Sequence, residues 1–253
     1  LVPFGWRALY LVGLLALLVS TFFQQSLPET TRFQTQQHQE QPINRFQRAI
    51  QPLVQLVRAY PGRLLALSGI IFLVSLGSET ALFYDLAYLQ QAHGWQPWQI
   101  SLLNLGAGFM AILGSAYAGQ WSDRWGRKPV TIWFLVGLVI AVIGYFQGYA
   151  WLLPLLWAAM LFTSVGAGVA LGTLRAELFP TAYRSTATGT MAVLATLAGA
   201  ASLTLHSQLV SRHYSPWSAI SFLALLMLGA PCLMPFLPET SQRRLEEIAP
   251  EDK

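Results

Sequence analysis

The chain has 253 residues, 54% of them apolar and only 10% charged, with a mean hydropathy of +0.47. Soluble domains carry about 25% charged residues, so the composition excludes an ordinary soluble enzyme and points to helices in lipid. The net charge of +4 does not mark a nucleic-acid partner, because the basic residues lie in separate loops and form no single patch, and the one cysteine, Cys232, excludes an intrachain disulfide and reads as a packing residue.

Apolar runs near the roughly 20 residues that cross a bilayer predict an all-α polytopic membrane protein with spans at 6–23, 64–92, 98–120, 130–148, 151–174, 186–209 and 217–237. Trp6, Trp95, Trp98, Trp151 and Trp217 fall at or near span ends, where indoles anchor at the interface. The first span begins almost at Leu1, without an initiating Met or a signal peptide, so residues upstream are expected to be missing. The connection 25–63 starts Gln-rich and polar. Phe46, Ile50, Leu53, Val57 and Tyr60 then recur at helical spacing opposite Arg45 and Arg48, which predicts an amphipathic helix at a membrane face.

The second span carries Glu79, about 22 Å along it at ~1.5 Å per residue. A carboxylate at that depth is costly and marks a functional candidate, to take a proton or pair with a cationic group, unless Ser75 or Ser78 hydrogen-bonds it structurally. Asp85 reads as interfacial. Asn104, on the third span, suits either a cavity wall or an interhelical hydrogen bond. Between the third and fourth spans stands Gly119-Gln-Trp-Ser-Asp123-Arg124-Trp-Gly126-Arg127-Lys128, a charge cluster between two membrane-length runs, with two glycines that predict close helix passage. Gly106, Gly108, Gly114, Ser115, Gly166, Gly168, Gly189, Gly199 and Ala200 are expected to set further close contacts. Trp157 and Phe162 suit substrate contact but read better as lipid-facing, and His206 reads as packed or interfacial rather than as a proton relay. Glu177 and Arg184 flank the connection after the fifth span, and Glu239 follows the last.

Alternate connections hold 13 of the 15 basic residues on one side and only Arg7 and Arg212 on the other. The basic side is cytoplasmic by the positive-inside rule, which predicts a cell-membrane protein with an outer N-terminus and a cytoplasmic C-terminus. Leu27-Pro-Glu29-Thr30 after the first span returns as Leu237-Pro-Glu239-Thr240 after the last. Both close a span running in the same direction, so each is expected to end a six-span repeat, the first of which survives only as its last helix.

The loop Gly119-x-x-x-Asp123-Arg124-x-Gly126-Arg127-Lys128 between the second and third spans of such a half resembles that of the major facilitator superfamily of secondary transporters. Glu177-Leu-Phe-Pro-Thr-Ala-Tyr-Arg184 is similar to that family's Glu-x6-Arg loop after the tenth helix, and Pro238-Glu239-Thr240 to the Pro-Glu-Thr after the twelfth. The resemblance implies a partial facilitator fold with seven of twelve helices: 1–24 the last helix of the missing N-terminal half, 25–63 the cytoplasmic loop joining the halves, 64–240 the C-terminal half, and 241–253 a cytoplasmic tail. It implies alternating access and a substrate that is a small solute, with no cofactor or metal. Gly119, Asp123, Arg124, Gly126, Arg127, Lys128, Glu177, Arg184 and Glu239 form the expected gating network, a latch whose charge pairs are strong when desolvated and weak when hydrated. Its pairs run from Arg124 and Arg127 to Glu177 and Glu239, and from Arg184 to Glu177 or Asp123; Asp123 also suits a helix N-terminus.

Gly77-Ser-Glu79-Thr-Ala-Leu-Phe83-Tyr84 resembles the Gly-Ile-Asn-x-x-x-Tyr-Tyr stretch of sugar porters. That places Glu79 at their sugar-binding Asn and Phe83 at their first Tyr, so Glu79, Phe83, Tyr84 and Asn104 are the substrate or proton candidates. A carboxylate suits a proton or cation better than a neutral sugar. The Gly166–Gly172 stretch also lacks the two later prolines and the tryptophan of the sugar-porter pattern, so sugar is not carried over as substrate. Proton-coupled uptake and proton-driven export of a drug or metabolite both fit. A seven-helix receptor, suggested by Asp123-Arg124-Trp125 after the third span, fits poorly with the extension through Gly126-Arg127-Lys128, the long connection after the first span and the repeated ends. The scattered His38, His93, His206 and His213 supply no enzyme or metal site.

Overall fold

A computed structural model describes residues 8–26 and 45–241. They divide into two compact units, 1–49 and 50–253. The first holds α1 (Ala8–Ser26), whose described apolar stretch is Gly13–Phe23. The start of the predicted first span, the repeat tetrapeptide at 27–30 with Glu29, the Gln-rich connection and the tail after 241 lie outside the described residues.

α2 (Arg45–Ala59) begins just before the boundary between the units. Leu56 is its buried anchor, joined by Tyr60 just past its end, whereas Val57, expected on the same face, is exposed. The contacting line runs through Leu56 at one turn's spacing to Tyr60, which stacks edge-on against Phe179 with ring centroids 6.2 Å apart. The side chains of Phe46, Ile50, Arg45 and Arg48 lie outside the described residues.

Six helices follow that are long and apolar enough to cross a membrane: α3 (Pro61–His93), α4 (Pro97–Trp125), α5 (Arg127–Gln147), α6 (Leu153–Leu178), α7 (Thr181–Ser211) and α8, which opens as Pro216–Leu225 and continues to Phe236. No strand occurs among the described residues. Several helices outrun the predicted apolar spans, because backbone hydrogen bonding continues past the point where side chains turn polar. α3, with 33 residues, extends about 50 Å at ~1.5 Å per residue and exceeds a hydrocarbon thickness of ~30 Å. Pro at the first turn opens α3, α4, α6 and α8, where its missing N–H costs nothing. Gly94 closes α3 at φ +66°; its N–H donates to the Gln90 carbonyl oxygen at 3.1 Å and the Trp95 N–H to the Leu89 carbonyl oxygen at 3.0 Å.

α8 departs most from the prediction of one regular helix. It tightens to 3-10 geometry at Leu226–Leu228 and again at Met234–Phe236. Pro231 and Pro235 each remove an i→i−4 hydrogen bond and crowd the preceding turn.

α4 packs on α6, α6 on α5 and α3 on α7, while α8 sits against both α3 and α5. The core has two parts. At the basic end Leu56, Leu67, Ile70, Phe134, Leu174, Leu178 and Phe179 are buried together; at the opposite end Tyr88, Tyr145, Phe146, Trp157, Met160 and Ile220 are. Trp157 and Phe162, expected to face lipid, turn inward: Trp157 stacks near Tyr145 and Phe162 near Phe134.

The glycines fall into two groups. A Cβ on Gly114 would come 2.3 Å from the Phe162 carbonyl oxygen, on Gly77 2.3 Å from Met227 Cγ, and on Gly166 2.2 Å from the Phe134 ring. These are true close approaches. Gly106, Gly108, Gly119, Gly168 and Gly189 meet no described atom within 4 Å, so for them the expected close contact is absent among the described residues.

Candidate functional site

Gly126 alone separates α4 from α5, so the predicted loop is a one-residue break. Asp123 and Arg124 occupy the last turn of α4, and Arg127 and Lys128 the first turn of α5. Gly126 sits at φ +101°, ψ +154°, a region reserved for glycine. This sharp reversal turns the free N–H groups of α5's first turn toward the end of α8.

Glu239 meets them there. Its Oε1 accepts from Arg127 N at 2.9 Å and its Oε2 from Lys128 N at 3.2 Å. Oε1 also accepts from Thr240 N and Ser241 N, at 3.1 and 3.2 Å. A carboxylate at a helix N-terminus satisfies orphan donors and complements the helix dipole. Here the cap comes from more than a hundred residues away. Lys128 returns the contact, donating from Nζ to the Leu237 carbonyl oxygen at 2.7 Å. The start of α5 and the end of α8 therefore cap each other.

Arg127 is the centre of a second layer. Its Nη2 lies 2.9 Å from Glu177 Oε1 at the end of α6, and its Nε donates to both Glu177 oxygens at 3.2 Å. Nη1 reaches Asp123 Oδ1 at 2.6 Å and Ser122 Oγ at 2.6 Å. Thr240 Oγ1 donates to Glu177 Oε2. Arg127 and Glu177 side chains are only 15% and 18% exposed, against 67% for Asp123. The Arg127–Glu177 pair is thus the desolvated one, while Asp123 adds a hydrated contact worth little.

Several expected partners are not brought together. Arg184 donates from Nε to the Phe179 carbonyl oxygen at 3.1 Å, not to Glu177 or Asp123. Glu177's oxygens are already held by Arg127 and Thr240. Asp123 faces Arg127, and the helix N-terminus belongs to Glu239. Arg124 is exposed and makes no ion pair with a described residue. Gly119 accepts the Ser122 hydroxyl hydrogen on its carbonyl. Ser122 and Thr240 were not singled out from the sequence, although Thr240 completes the Pro-Glu-Thr tripeptide.

Toward the middle of α3, Glu79 is exposed and has no hydrogen bond or ion pair among the described residues. Neither Ser75 nor Ser78 holds it. With Leu82, Phe83, Gly199 and Leu203 it lines a cavity of about 240 Å³ between α3 and α7. Gly199 makes this possible, because a Cβ there would lie 3.0 Å from Glu79 Cγ. On the buried side the neighbouring Thr80 bonds Ser202 of α7, hydroxyl to hydroxyl. Phe83 is exposed, with its ring edge-on to Tyr84 at 5.1 Å. Tyr84 turns instead to His206, ring centroids 4.7 Å apart. Asn104 is placed away from this group: its Oδ1 accepts the Trp157 indole N–H at 3.0 Å, which ties α4 to α6.

Six membrane-length helices, one end clamped by reciprocal caps and a desolvated ion pair, define a polytopic helical membrane protein. Residues 67–252 match the family model of the Major Facilitator Superfamily, and the chain belongs to that superfamily. It is 28% identical over 253 aligned residues to a Bacillus subtilis (strain 168) protein named for niacin/nicotinamide transport, NiaP, covering 96% of this chain and 60% of that protein. A Haemophilus influenzae protein named for metabolite transport is 27% identical over 241 residues, covering 92% of this chain and 59% of that one. A proton myo-inositol cotransporter of Caenorhabditis elegans, hmit-1.2, is 27% identical over 171 residues, covering 61% of this chain and 26% of that protein. The chain thus spans about 60% of the length of the first two relatives. The family assignment sets aside the receptor-like reading of Asp123-Arg124-Trp125.

Proposed function

We propose that the chain is the C-terminal part of a secondary transporter that carries a small organic solute across the cell membrane by alternating access, with protons as the driving ion. In this reading α1 is the last helix of an N-terminal half, 25–63 joins the halves, and the charged end of the bundle faces the cytoplasm. Lipid, the solute, protons and the N-terminal half of the same protein are its partners. The relatives' names, covering niacin, unspecified metabolites and proton-linked inositol, support a small metabolite as cargo.

The observation that carries the proton reading is Glu79: a carboxylate on a membrane-spanning helix, lining a small cavity and left without a structural partner among the described residues. Such a group is free to change protonation state or to meet a cation. The charge cluster ties α4, α5, α6 and the end of α8 within one half, so it acts in this reading as a rigid clamp that moves as a body. Asp123 and Arg124, exposed beside it, are the charges left to meet the other half when the cytoplasmic side closes.

The test is uptake by the full-length transporter in proteoliposomes with an imposed pH gradient, using labelled nicotinate, myo-inositol and a metabolite panel. Glu79→Gln should abolish gradient-driven accumulation while leaving solute exchange measurable. Accumulation that responds to the gradient as in the parent protein would end the Glu79 reading.

A further inference from the structure

Where α2 turns into α3, a cavity of about 600 Å³ opens between that elbow and the end of α8. Tyr60, Pro61 and Arg63 line one side of it, and Pro235, Phe236 and Leu237 the other. It adjoins the charge cluster through Leu237, whose carbonyl oxygen holds Lys128 Nζ at 2.7 Å.

The charged groups around this cavity are cations. Arg63 is positioned by two neutral groups: its Nη1 donates to the Leu178 carbonyl oxygen at 3.1 Å, and its guanidinium lies 5.3 Å from the centre of the Tyr60 ring. Tyr60 is itself fixed, buried with its ring edge-on to Phe179 and Tyr183. Arg58, two residues before Tyr60 and in the last turn of α2, is exposed and makes no hydrogen bond or ion pair among the described residues. Lys128 adds a third positive charge behind Leu237. Glu239, the carboxylate next to Pro238 of the cavity wall, already has both oxygens on backbone N–H groups.

Beside these cations the surface is apolar and bare. Phe236 is 74% exposed, and Leu65, one turn into α3, is 78% exposed. Val54 and Val57 on α2, one turn and one residue before Arg58, are exposed as well. α3 and α8 are membrane-length helices, and Leu65 and Phe236 stand near the ends of their apolar stretches, at the level where hydrocarbon gives way to headgroups. Arginines beside an apolar wall at that level suit an amphiphile with a negative head. A soluble anion would use the arginines and leave the apolar wall in contact with nothing.

We propose that the α2–α3 elbow binds one anionic phospholipid from the leaflet at the basic end of the bundle. Its phosphate pairs with Arg58 and Arg63, whose planar guanidinium groups match phosphate oxygens two at a time. Its acyl chains lie along Leu65 and Phe236. The lipid then bridges the elbow to the end of α8, two places far apart in the chain. The site is independent of Glu79 and of the direction of transport.

The test is native mass spectrometry of the full-length protein in detergent, titrated with phosphatidylglycerol, phosphatidylcholine and inorganic phosphate. Phosphatidylglycerol should bind more tightly than phosphatidylcholine. A basic residue at an anionic membrane surface contributes roughly fivefold to affinity, so Arg58→Gln should weaken phosphatidylglycerol binding about 5-fold, and Arg58→Gln with Arg63→Gln about 25-fold. Arg212→Gln, at the other end of the bundle, should leave it unchanged. Phe236→Ser should weaken both lipids alike. Should the double variant not fold, Arg58→Gln, whose side chain holds no described residue, carries the test alone. Equal affinity for the two lipids, or equal losses in Arg58→Gln and Arg212→Gln, overturns the proposal. Displacement of the lipid by inorganic phosphate at matched concentration would make this a site for a free anion and overturns it too. So does phosphatidylglycerol binding that appears only after residues 242–253 are deleted, which would give the cavity to the chain's own C-terminal segment.

Discussion

Removing the Glu239 carboxylate should loosen one place in the bundle and leave the rest intact. Glu239→Ala takes away the acceptor for Arg127 N and Lys128 N and for the turn donors Thr240 N and Ser241 N. Losing a helix cap costs about 0.5–2 kcal/mol, and losing a negative charge at a helix N-terminus about 0.3–1 kcal/mol. The half-buried position puts the sum at roughly 1.5–3 kcal/mol. At ~1.4 kcal/mol per factor of ten, amides in the first turn of α5 should exchange about 10- to 100-fold faster. Hydrogen-exchange mass spectrometry of the chain in detergent or nanodiscs reads this from peptides covering 126–132 and 235–241. Glu239→Gln keeps one carbonyl oxygen and should show a smaller effect at the same peptides. Unchanged exchange at 126–132, or an equal rise throughout α3 to α8, would refute the cap as the local cause.

Gly126→Ala should destabilise by about 1–3 kcal/mol, because φ +101° is strained for any residue with a Cβ; an unchanged melting temperature in detergent would contradict it. Arg127→Ala should cost about 3 kcal/mol, since it strands the desolvated Glu177, whereas Asp123→Asn should stay within about 0.5 kcal/mol because Asp123 is hydrated. Equal losses in the same melting assay would show that the Arg127–Glu177 pair is not the one that matters. Gly114→Ala should cost about 1–3 kcal/mol by overpacking against the Phe162 backbone, while Gly106→Ala and Gly108→Ala in the same helix should leave the stability of the chain nearly unchanged. A neutral Gly114→Ala would mean that α4 and α6 can part at no cost.

The order of long apolar runs and the charge cluster between α4 and α5 were legible from residues alone. Glu79, too, stood out by depth. The partners did not. Asp123, Glu177 and Glu239 are three carboxylates with comparable claims on Arg127 and on the α5 N-terminus, and nothing in their spacing assigns them. The structure gives Glu177 to the guanidinium and Glu239 to the backbone because α6 and α8 end at those two positions. Arg184 has the same charge as Arg127 but sits beyond the Phe179–Pro180 turn, where a carbonyl is its near acceptor.

Hydropathy and the asymmetry of basic residues act along the chain, so they determined by themselves that this protein forms membrane-length helices with one basic end. The same local reasoning could not separate Gly114 from Gly106, since both are glycines on α4 with similar neighbours. Only packing decides that one meets the Phe162 backbone and the other no described atom. It also decided that Trp157 and Phe162 turn inward, that Asn104 is held by Trp157, and that the His206 ring meets the Pro216 carbonyl. Each of these depends on which helix face meets which neighbour, a choice made by side-chain fit between segments far apart in sequence.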